Sequence, residues 1–314
     1  MKRHRGHEGL TAGDRGAAIA IGNFDGVHLG HQSVLALARA AAAEHAAPFG
    51  VVTFEPHPRR FFDPDAPGFR LMTAETRARR LEKLGVEELY ELTFDASLAA
   101  LPAERFAEEV LSGGLGIRHL VAGADFRFGK GRGGDTALLQ RLGPGCGFDV
   151  TVAPLVSDDQ GEHSSTAIRA ALTAGRPEEA ARMLGHWHRI EGVVGHGDKR
   201  GRDLGFPTVN LDLEGLHLPR YGVYAVLVDV LDGPHAGRYL GAASIGERPT
   251  FGENRPNLEV HLLDFAGDLY GARISVALVA FQRPEVRFDG AEALVAQMRT
   301  DVAEARTRLA EVGA

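Results

Sequence analysis

The sequence predicts two domains of different class: an α/β doubly wound, Rossmann-like domain over 1–185, then a six-stranded antiparallel β-barrel with a C-terminal helix over 186–314. Three observations carry this. At 314 residues the chain exceeds what a single core usually organises. Its first half alternates apolar, strand-like runs with helix-forming stretches, the rhythm of a parallel sheet. After Trp187 the rhythm changes to six β-like runs with no helix between them, which fits a small barrel.

In order, Ala17–Gly22 is a short apolar run ending in glycine, and Gln32–His45 is Ala/Leu-rich with high helix propensity. Gly50–Phe54 reads as a strand, Thr73–Leu84 as a helix closed by Gly85, and Glu88–Phe94 as a strand. Pro102–Leu111 is a helix with proline at its start, Arg118–Ala122 and Asp149–Pro154 are strands, and a further helix begins near Thr166. The barrel strands are His188–Val194, Phe206–Leu211, Gly222–Val230, Tyr239–Ile245, Leu258–Phe265 and Arg273–Phe281, with Ala291–Val312 as the closing helix. The first sixteen residues look short and idiosyncratic.

Composition narrows the function classes. Lys and Arg number 35 against 42 Asp and Glu, a net charge of −7. Such a chain has no general attraction for nucleic acid or anionic membrane, so neither is expected as a partner. One cysteine, Cys146, excludes an intramolecular disulfide framework and a cysteine-based zinc site. No apolar run reaches the ~18 residues of a spanning helix, and the polar, basic stretch Met1–Asp14 lacks the apolar core of a secretory signal. A cytoplasmic protein, monomeric or weakly self-associating, is expected.

The most informative stretch is Gly22-Asn23-Phe24-Asp25-Gly26-Val27-His28-Leu29-Gly30-His31. A strand ends at Gly22 and a helix opens near His31, so unpaired N–H groups and a positive dipole end are offered to a phosphate. Gly30 lets backbone approach a ligand, and His28 and His31 are spaced to share a helical face. Imidazoles there can stabilise charge on a phosphate under attack. A bare His-x-x-His spacing more often marks a surface pair or half a metal site. Ser164-Ser165-Thr166-Ala167-Ile168-Arg169 sets hydroxyls at a helix start and an arginine one turn in, a second phosphate clamp or a plain N-cap.

In the second half, Gly195-His196-Gly197-Asp198-Lys199-Arg200-Gly201-Arg202 is a glycine-rich basic turn without Walker A spacing. Leu204-Gly205-Phe206-Pro207-Thr208-Val209-Asn210 follows, and alternation puts Thr208 and Asn210 on one face. A hydroxyl and a carboxamide together suit Mg²⁺ held also by nucleotide phosphates. In Leu258-Glu259-Val260-His261-Leu262-Leu263, alternation turns Glu259 away from the core, where it is a solvated residue or a general base.

GNFDGVHLGH resembles the HxGH signature of the nucleotidyltransferase superfamily, and its full wording is closer still to the bacterial bifunctional riboflavin kinase/FAD synthetase family. SSTAIR is similar to that family's SSTxIR motif, GFPTVNL to the PTxN motif of riboflavin kinases, and LEVHLLDF to the segment holding the catalytic glutamate. The resemblance runs from Ala17 to Leu309. It implies a nucleotidyltransferase-like first domain, with His28 and His31 catalytic and with Gly22, Phe24, Asp25, Gly30, Ser165, Thr166 and Arg169 also on ATP. Phe54, His57, Phe62, Asp125 and Phe128 would bind FMN, with Phe61 beside Phe62 as an apolar wall. Asp125 stands where some members have Asn.

For the second domain it implies ATP on Gly195, Gly197, Lys199, Gly201, Thr208 and Asn210, Mg²⁺ on Thr208 and Asn210, Glu259 as base, and riboflavin on Glu259, Arg287 and Phe288. The expected activity is phosphorylation of riboflavin to FMN and adenylylation of FMN to FAD, with ATP as co-substrate of both. Two alternatives stay open: a monofunctional riboflavin kinase with an inactive or analogue-specific first domain, and a flavin-binding regulator without turnover. Asp125 and the abbreviated N-terminus favour the first. The joint presence of His28, His31, Thr208, Asn210 and Glu259 argues against the second, since binding alone needs no base.

Overall fold

Among the described residues, six parallel strands build the first sheet: Lys2–Arg5 (β1), Ala18–Ile21 (β2), Phe49–Glu55 (β3), Glu88–Thr93 (β4), His119–Gly123 (β5) and Asp149–Ala153 (β6). The computed structural model describes residues 1–159, 161–195, 205–250 and 253–313. They divide into two compact units, Met1–Ala66 with Ala74–Ser164, and Pro67–Thr73 with Ser165–Ala314. The boundary read from sequence near Gly185 falls further along the chain.

The sheet order is β1-β4-β3-β2-β5-β6. From β2 the chain steps outward through β3 to β4, then returns to place β5 on the other side of β2. Order therefore reverses between β2 and β5, and the carboxyl ends of these two strands flank the crevice where open α/β sheets take ligands. β2 is buried along its whole length, as a central parallel strand should be. Leu29–Glu44 (α1) lies against β2, β3 and β5, burying Val34, Leu35, Ala38, Ala41 and Ala42 on one stripe.

Several expectations are corrected. α1 starts at Leu29, and His28 is its N-cap, extended at φ −68° and ψ 172°, so the two histidines do not sit within one helical turn. Pro58–Phe62 (α2) is a short helix after β3, Ala74–Lys83 (α3) matches the helix expected over Thr73–Leu84, and Ala96–Ala100 (α4) was not foreseen. The helix expected over Pro102–Leu111 is Ala103–Arg105 (α5) running into a π-wound segment over Phe106–Gly114. Thr136–Cys146 (α6) was missed: Asp135 caps it by accepting from Leu138 N at 2.9 Å, but Gly143, Pro144 and Gly145 hide the pattern. A two-strand hairpin, Ser157–Asp158 (β7) with Gly161–Glu162 (β8), precedes the next helix.

β1 was also missed, for a physical reason. Its residues, Lys2-Arg3-His4-Arg5, carry no apolar alternation. An edge strand of that kind is held by charge: Lys2 Nζ lies 3.0 Å from Asp14, Arg3 reaches Glu75 at 2.7 Å and Glu91 at 3.0 Å, and His4 Nε2 lies 2.6 Å from Glu88.

In the second unit, Ser165–Thr173 (α7) and Pro177–Leu184 (α8) pack on each other and on Leu71 around Ile168, Ala171, Leu172 and Met183. The barrel strands are His188–Val193 (β9), Val209–Asp212 (β10), Gly222–Val230 (β11), Gly237–Thr250 (β12), Glu253–Leu262 (β13) and Arg273–Arg283 (β14). All pairings are antiparallel in the order β10-β13-β12-β11-β14-β9. An antiparallel bridge between Gly195 and Asn210, with Gly195 N donating to Asn210 O at 3.0 Å, closes the circuit. Tyr224, Val226, Val228 and Val230 point into the barrel, while Ala225 and Leu227 point out under Ala291–Glu311 (α9), beside Ala305 and Leu309. The expected strand over Phe206–Leu211 is shorter, so Thr208 lies just before β10 rather than within it.

Two candidate active sites

The first site is built on the turn between β2 and α1. Phe24, Gly26 and Val27 all have positive φ, at 51°, 87° and 45°. For glycine that is cheap; for Phe and a β-branched Val it is strained backbone that surrounding structure must hold. Phe24 and Val27 are wholly buried, which anchors the turn by its side chains. Gln32 Nε2 donates to Val27 O at 2.9 Å, and Thr53 Oγ1 donates to Asn23 O at 3.3 Å.

His28 Nδ1 accepts from His31 N at 3.3 Å, so a neutral His28 carries its proton on Nε2 and can donate from there. Its ring stacks on His31 with centroids 3.6 Å apart, and Phe24 flanks His31 at 5.1 Å. His31 Nδ1 is sealed away without a hydrogen-bond partner, which leaves Nε2 to meet a ligand. Burial first, and His28 second, hold the His31 pKa well below its ordinary value, so the ring is a neutral donor near pH 7. Gly30 has no room for a side chain: a Cβ would lie 3.1 Å from His163 O and from the His28 ring. Gly22 follows β2, and Asp25 is buried in the turn.

A residue that sequence reasoning missed lies beneath this turn. Arg77 on α3 is only 1% exposed, and its guanidinium donates to Asn23 O at 3.3 Å, to Glu55 Oε2 at 3.1 Å and to Glu91 Oε1 at 3.3 Å. One buried cation thus ties the turn between β2 and α1 to β3 and β4. Arg77→Met is expected to destabilise the protein by about 3–5 kcal/mol, because it leaves buried acceptors uncompensated. Arg77→Lys should recover little, since an ammonium does not span three acceptors in a plane. Urea unfolding checks this; a loss under about 1 kcal/mol, typical of exposed pairs, would contradict the reading.

The expected flavin side divides in two. Phe61, Phe62 and Phe94 form an edge-to-face cluster with centroids 5.2–5.8 Å apart, and Phe62 is 68% exposed. Phe54 touches Phe94 but lies in the core. Phe128 is likewise core, packed on Phe106, and the half-buried ring stacked beside it is Phe126. His57 caps α2, its Nδ1 accepting from Arg59 N at 3.1 Å. Asp125 is exposed after β5. Ser165, Thr166 and Arg169 lie on α7 in the second unit, where Arg169 Nε donates to Phe69 O at 2.6 Å.

The second site lies on the barrel. Asn210 on β10 is the register partner of Glu259 on β13, and Glu259 is the partner of Ser244 on β12. Asn257, two residues from Glu259 and so on its face, donates from Nδ2 to Asn210 Oδ1 at 3.0 Å and to Glu259 Oε1 at 3.4 Å. That amide fixes the two side chains against each other; it was also missed. A cavity of about 330 Å³ opens beside them, with Thr208 and Glu259 at its wall and Val286, Phe288, Leu294 and Met298 among its apolar lining. This is within the range of small-molecule sites. Arg283 lines it and is clamped by Asp301 of α9 through two bonds of 2.8 and 2.7 Å. Arg287 is exposed and does not line the cavity. Gly195 is held at the barrel seam, whereas Gly197, Lys199 and Gly201 lie outside the described residues.

Such side chains, one set at the switch point of a parallel sheet and the other at a barrel cavity, define a transferase of phosphorus-containing groups. Comparison with known proteins identifies the family. Residues 10–167 match the family described as FAD synthetase, and residues 184–309 match that described as riboflavin kinase. A bifunctional riboflavin kinase/FMN adenylyltransferase of Pseudomonas fluorescens is 45% identical over 98% of this chain and 97% of its own. One from Bacillus subtilis is 38% identical over 92% and 91%. A solved chain from Streptococcus pneumoniae, described as a macrolide-efflux protein, superposes with a TM-score of 0.84 at 31% identity over 97% of this chain and 98% of that one. The present chain belongs to the bifunctional riboflavin kinase/FMN adenylyltransferase family. No helix among its described residues is long and apolar enough to cross a membrane.

Proposed function

We propose that the two reactions of this riboflavin kinase and FMN adenylyltransferase run at the two sites just described, with ATP consumed at each. The catalytic division is placed near Gly185, with 1–185 transferring adenylyl and 186–314 transferring phosphoryl. This gives Ser165, Thr166 and Arg169 of α7 to the adenylyl reaction on the strength of their motif.

In the first reaction an FMN phosphate oxygen attacks the α-phosphorus of ATP and pyrophosphate leaves. The His28–His31 stack supports this best: the ring that caps α1 and its neighbour lie 3.6 Å apart at the helix N-terminus, where the dipole end favours phosphate and imidazole donors can stabilise charge on it. The exposed cluster around Phe62 offers an apolar face for a flavin ring; His57 and Asp125 are assigned to FMN as its polar contacts on the strength of their motifs, with Phe54 and Phe128 in the core.

In the second reaction the ribityl hydroxyl attacks the γ-phosphorus of ATP. The Glu259 carboxylate takes the proton and ADP leaves. The cavity walled by Phe288 would receive riboflavin, with Arg287 assigned to it by its motif, and Gly195, Gly197, Lys199 and Gly201 would hold phosphates. Thr208 and Asn210 offer hard oxygen donors suited to Mg²⁺ rather than to a softer metal. Mg²⁺ there would neutralise phosphate charge. We place the enzyme in the cytoplasm, as a monomer or a weak homo-oligomer.

Purified protein incubated with riboflavin, ATP and Mg²⁺ should accumulate FMN and then FAD, resolved by chromatography. FMN supplied alone with ATP should give FAD and pyrophosphate. FMN formation without any FAD would instead support the monofunctional kinase.

A further inference from the structure

We propose that His45, His119 and Asp149 form a binding site for a divalent transition cation of the zinc class, at the end of the first sheet opposite the nucleotide turn. His119 and Asp149 open the adjacent strands β5 and β6 and are direct register partners. His45 is the C-cap of α1, the helix whose N-terminus carries His28 and His31.

The spacing is that of a coordination shell. His45 Nε2 and His119 Nδ1 are 3.2 Å apart, and Asp149 Oδ2 lies 3.8 Å from His45 Nε2. All three ligand atoms fall within 4.8 Å of one another. Tetrahedral zinc with bonds near 2.0–2.1 Å sets its ligand atoms about 3.3 Å apart, so the imidazoles need almost no movement and the exposed carboxylate a small swing. Water would complete the fourth position.

A second, independent feature points the same way. His119 Nε2 lies 2.9 Å from Thr151 Oγ1, on the neighbouring strand two residues beyond its register partner Asp149. With Nε2–H donating there, the Nδ1 lone pair is turned toward His45 and Asp149. Metal-binding histidines are oriented by such outer hydrogen bonds. The helix end contributes a negative dipole pole, which favours a cation. Arg118, a cation beside this helix end, spends one guanidinium nitrogen on His45 O at 3.2 Å. The comparable group His4, Asp14 and Glu88 differs: Lys2 Nζ already lies 3.0 Å from Asp14 and 3.8 Å from Glu88, so a cation is built in.

The cation would rivet the far end of α1 to the sheet, away from the chemistry. The test titrates Co²⁺ alone into nucleotide-free, Mg²⁺-free full-length protein. One equivalent is expected to give the intense visible bands of tetrahedral cobalt, and Zn²⁺ should displace it. His119→Gln and His45→Gln should each abolish the bands, with FAD formation retained as the sign of a folded first unit. Thr151→Val should weaken binding by about 10–100-fold, the usual effect of losing an outer hydrogen bond. Because Thr151 and His119 are partly buried, His45→Gln at the more open position decides the matter if either of the others fails to fold. Weak octahedral spectra, or bands that survive His45→Gln, would overturn the proposal.

Discussion

His31→Ala is expected to abolish FAD formation from FMN while FMN formation from riboflavin continues unchanged. His31 is a neutral donor held by burial, stacked on His28 and walled by Phe24, so its position is fixed before substrate arrives. Losing one such preorganised donor usually costs on the order of 10²–10³ in rate. His28 needs a subtler substitution, because its ring also caps α1. His28→Ala removes cap and donor together and should cost roughly 1 kcal/mol of stability as well. His28→Asn keeps a good capping acceptor and should lose the rate without the stability. Paired measurement of FAD production and thermal midpoint separates the two roles. A decrease of less than tenfold for His31→Ala, or equal loss of both activities in folded protein, would remove the histidine stack from the mechanism.

Glu259→Gln should produce the converse. Riboflavin phosphorylation is expected to fall by about 10²–10⁴, the contribution typical of a positioned general base, while FMN added directly is still converted to FAD. The glutamine is isosteric and can accept from Asn257 through its own carbonyl, so the barrel should fold normally. Asn257→Ala tests the same site from the other side. It leaves the carboxylate in place but frees Asn210 and Glu259 from their shared amide, so kcat should fall less than for Glu259→Gln. Coupled detection of ADP release with riboflavin checks both variants; full kinase activity in Glu259→Gln would disqualify the carboxylate as base.

Much of this was legible in the sequence because the relevant elements obey short-range rules. β2, β3 and the barrel strands announce themselves by apolar runs and alternation, and the turn after β2 by its glycines and histidines. Asn257 carried a usable signal: two residues before Glu259 on a strand, it shares that face. Arg77 carried none. It sits in Thr76-Arg77-Ala78-Arg79-Arg80, where it looks like any solvated cation, and its burial is decided by Glu55 and Glu91 from strands that are neighbours only in space. The same holds for β1, whose pairing depends on acidic partners far along the chain, and for Phe94, which joins Phe61 and Phe62 only once the strand ends converge. Phe54 and Phe128 show the opposite limit: motif position suggested contact with ligand, whereas packing put both rings inside the core.

The backbone at Phe24 and Val27 is wound against its own preference, each at a cost of roughly 1–3 kcal/mol. A bent spring keeps its shape only while its frame is stiff, and here the frame includes Arg77 and Thr53, which donate to Asn23 O, and Gln32, which donates to Val27 O. The geometry that aims the two imidazoles is therefore a property of the foundations of the sheet, so loosening α3 would misalign chemistry performed at the tip of another helix.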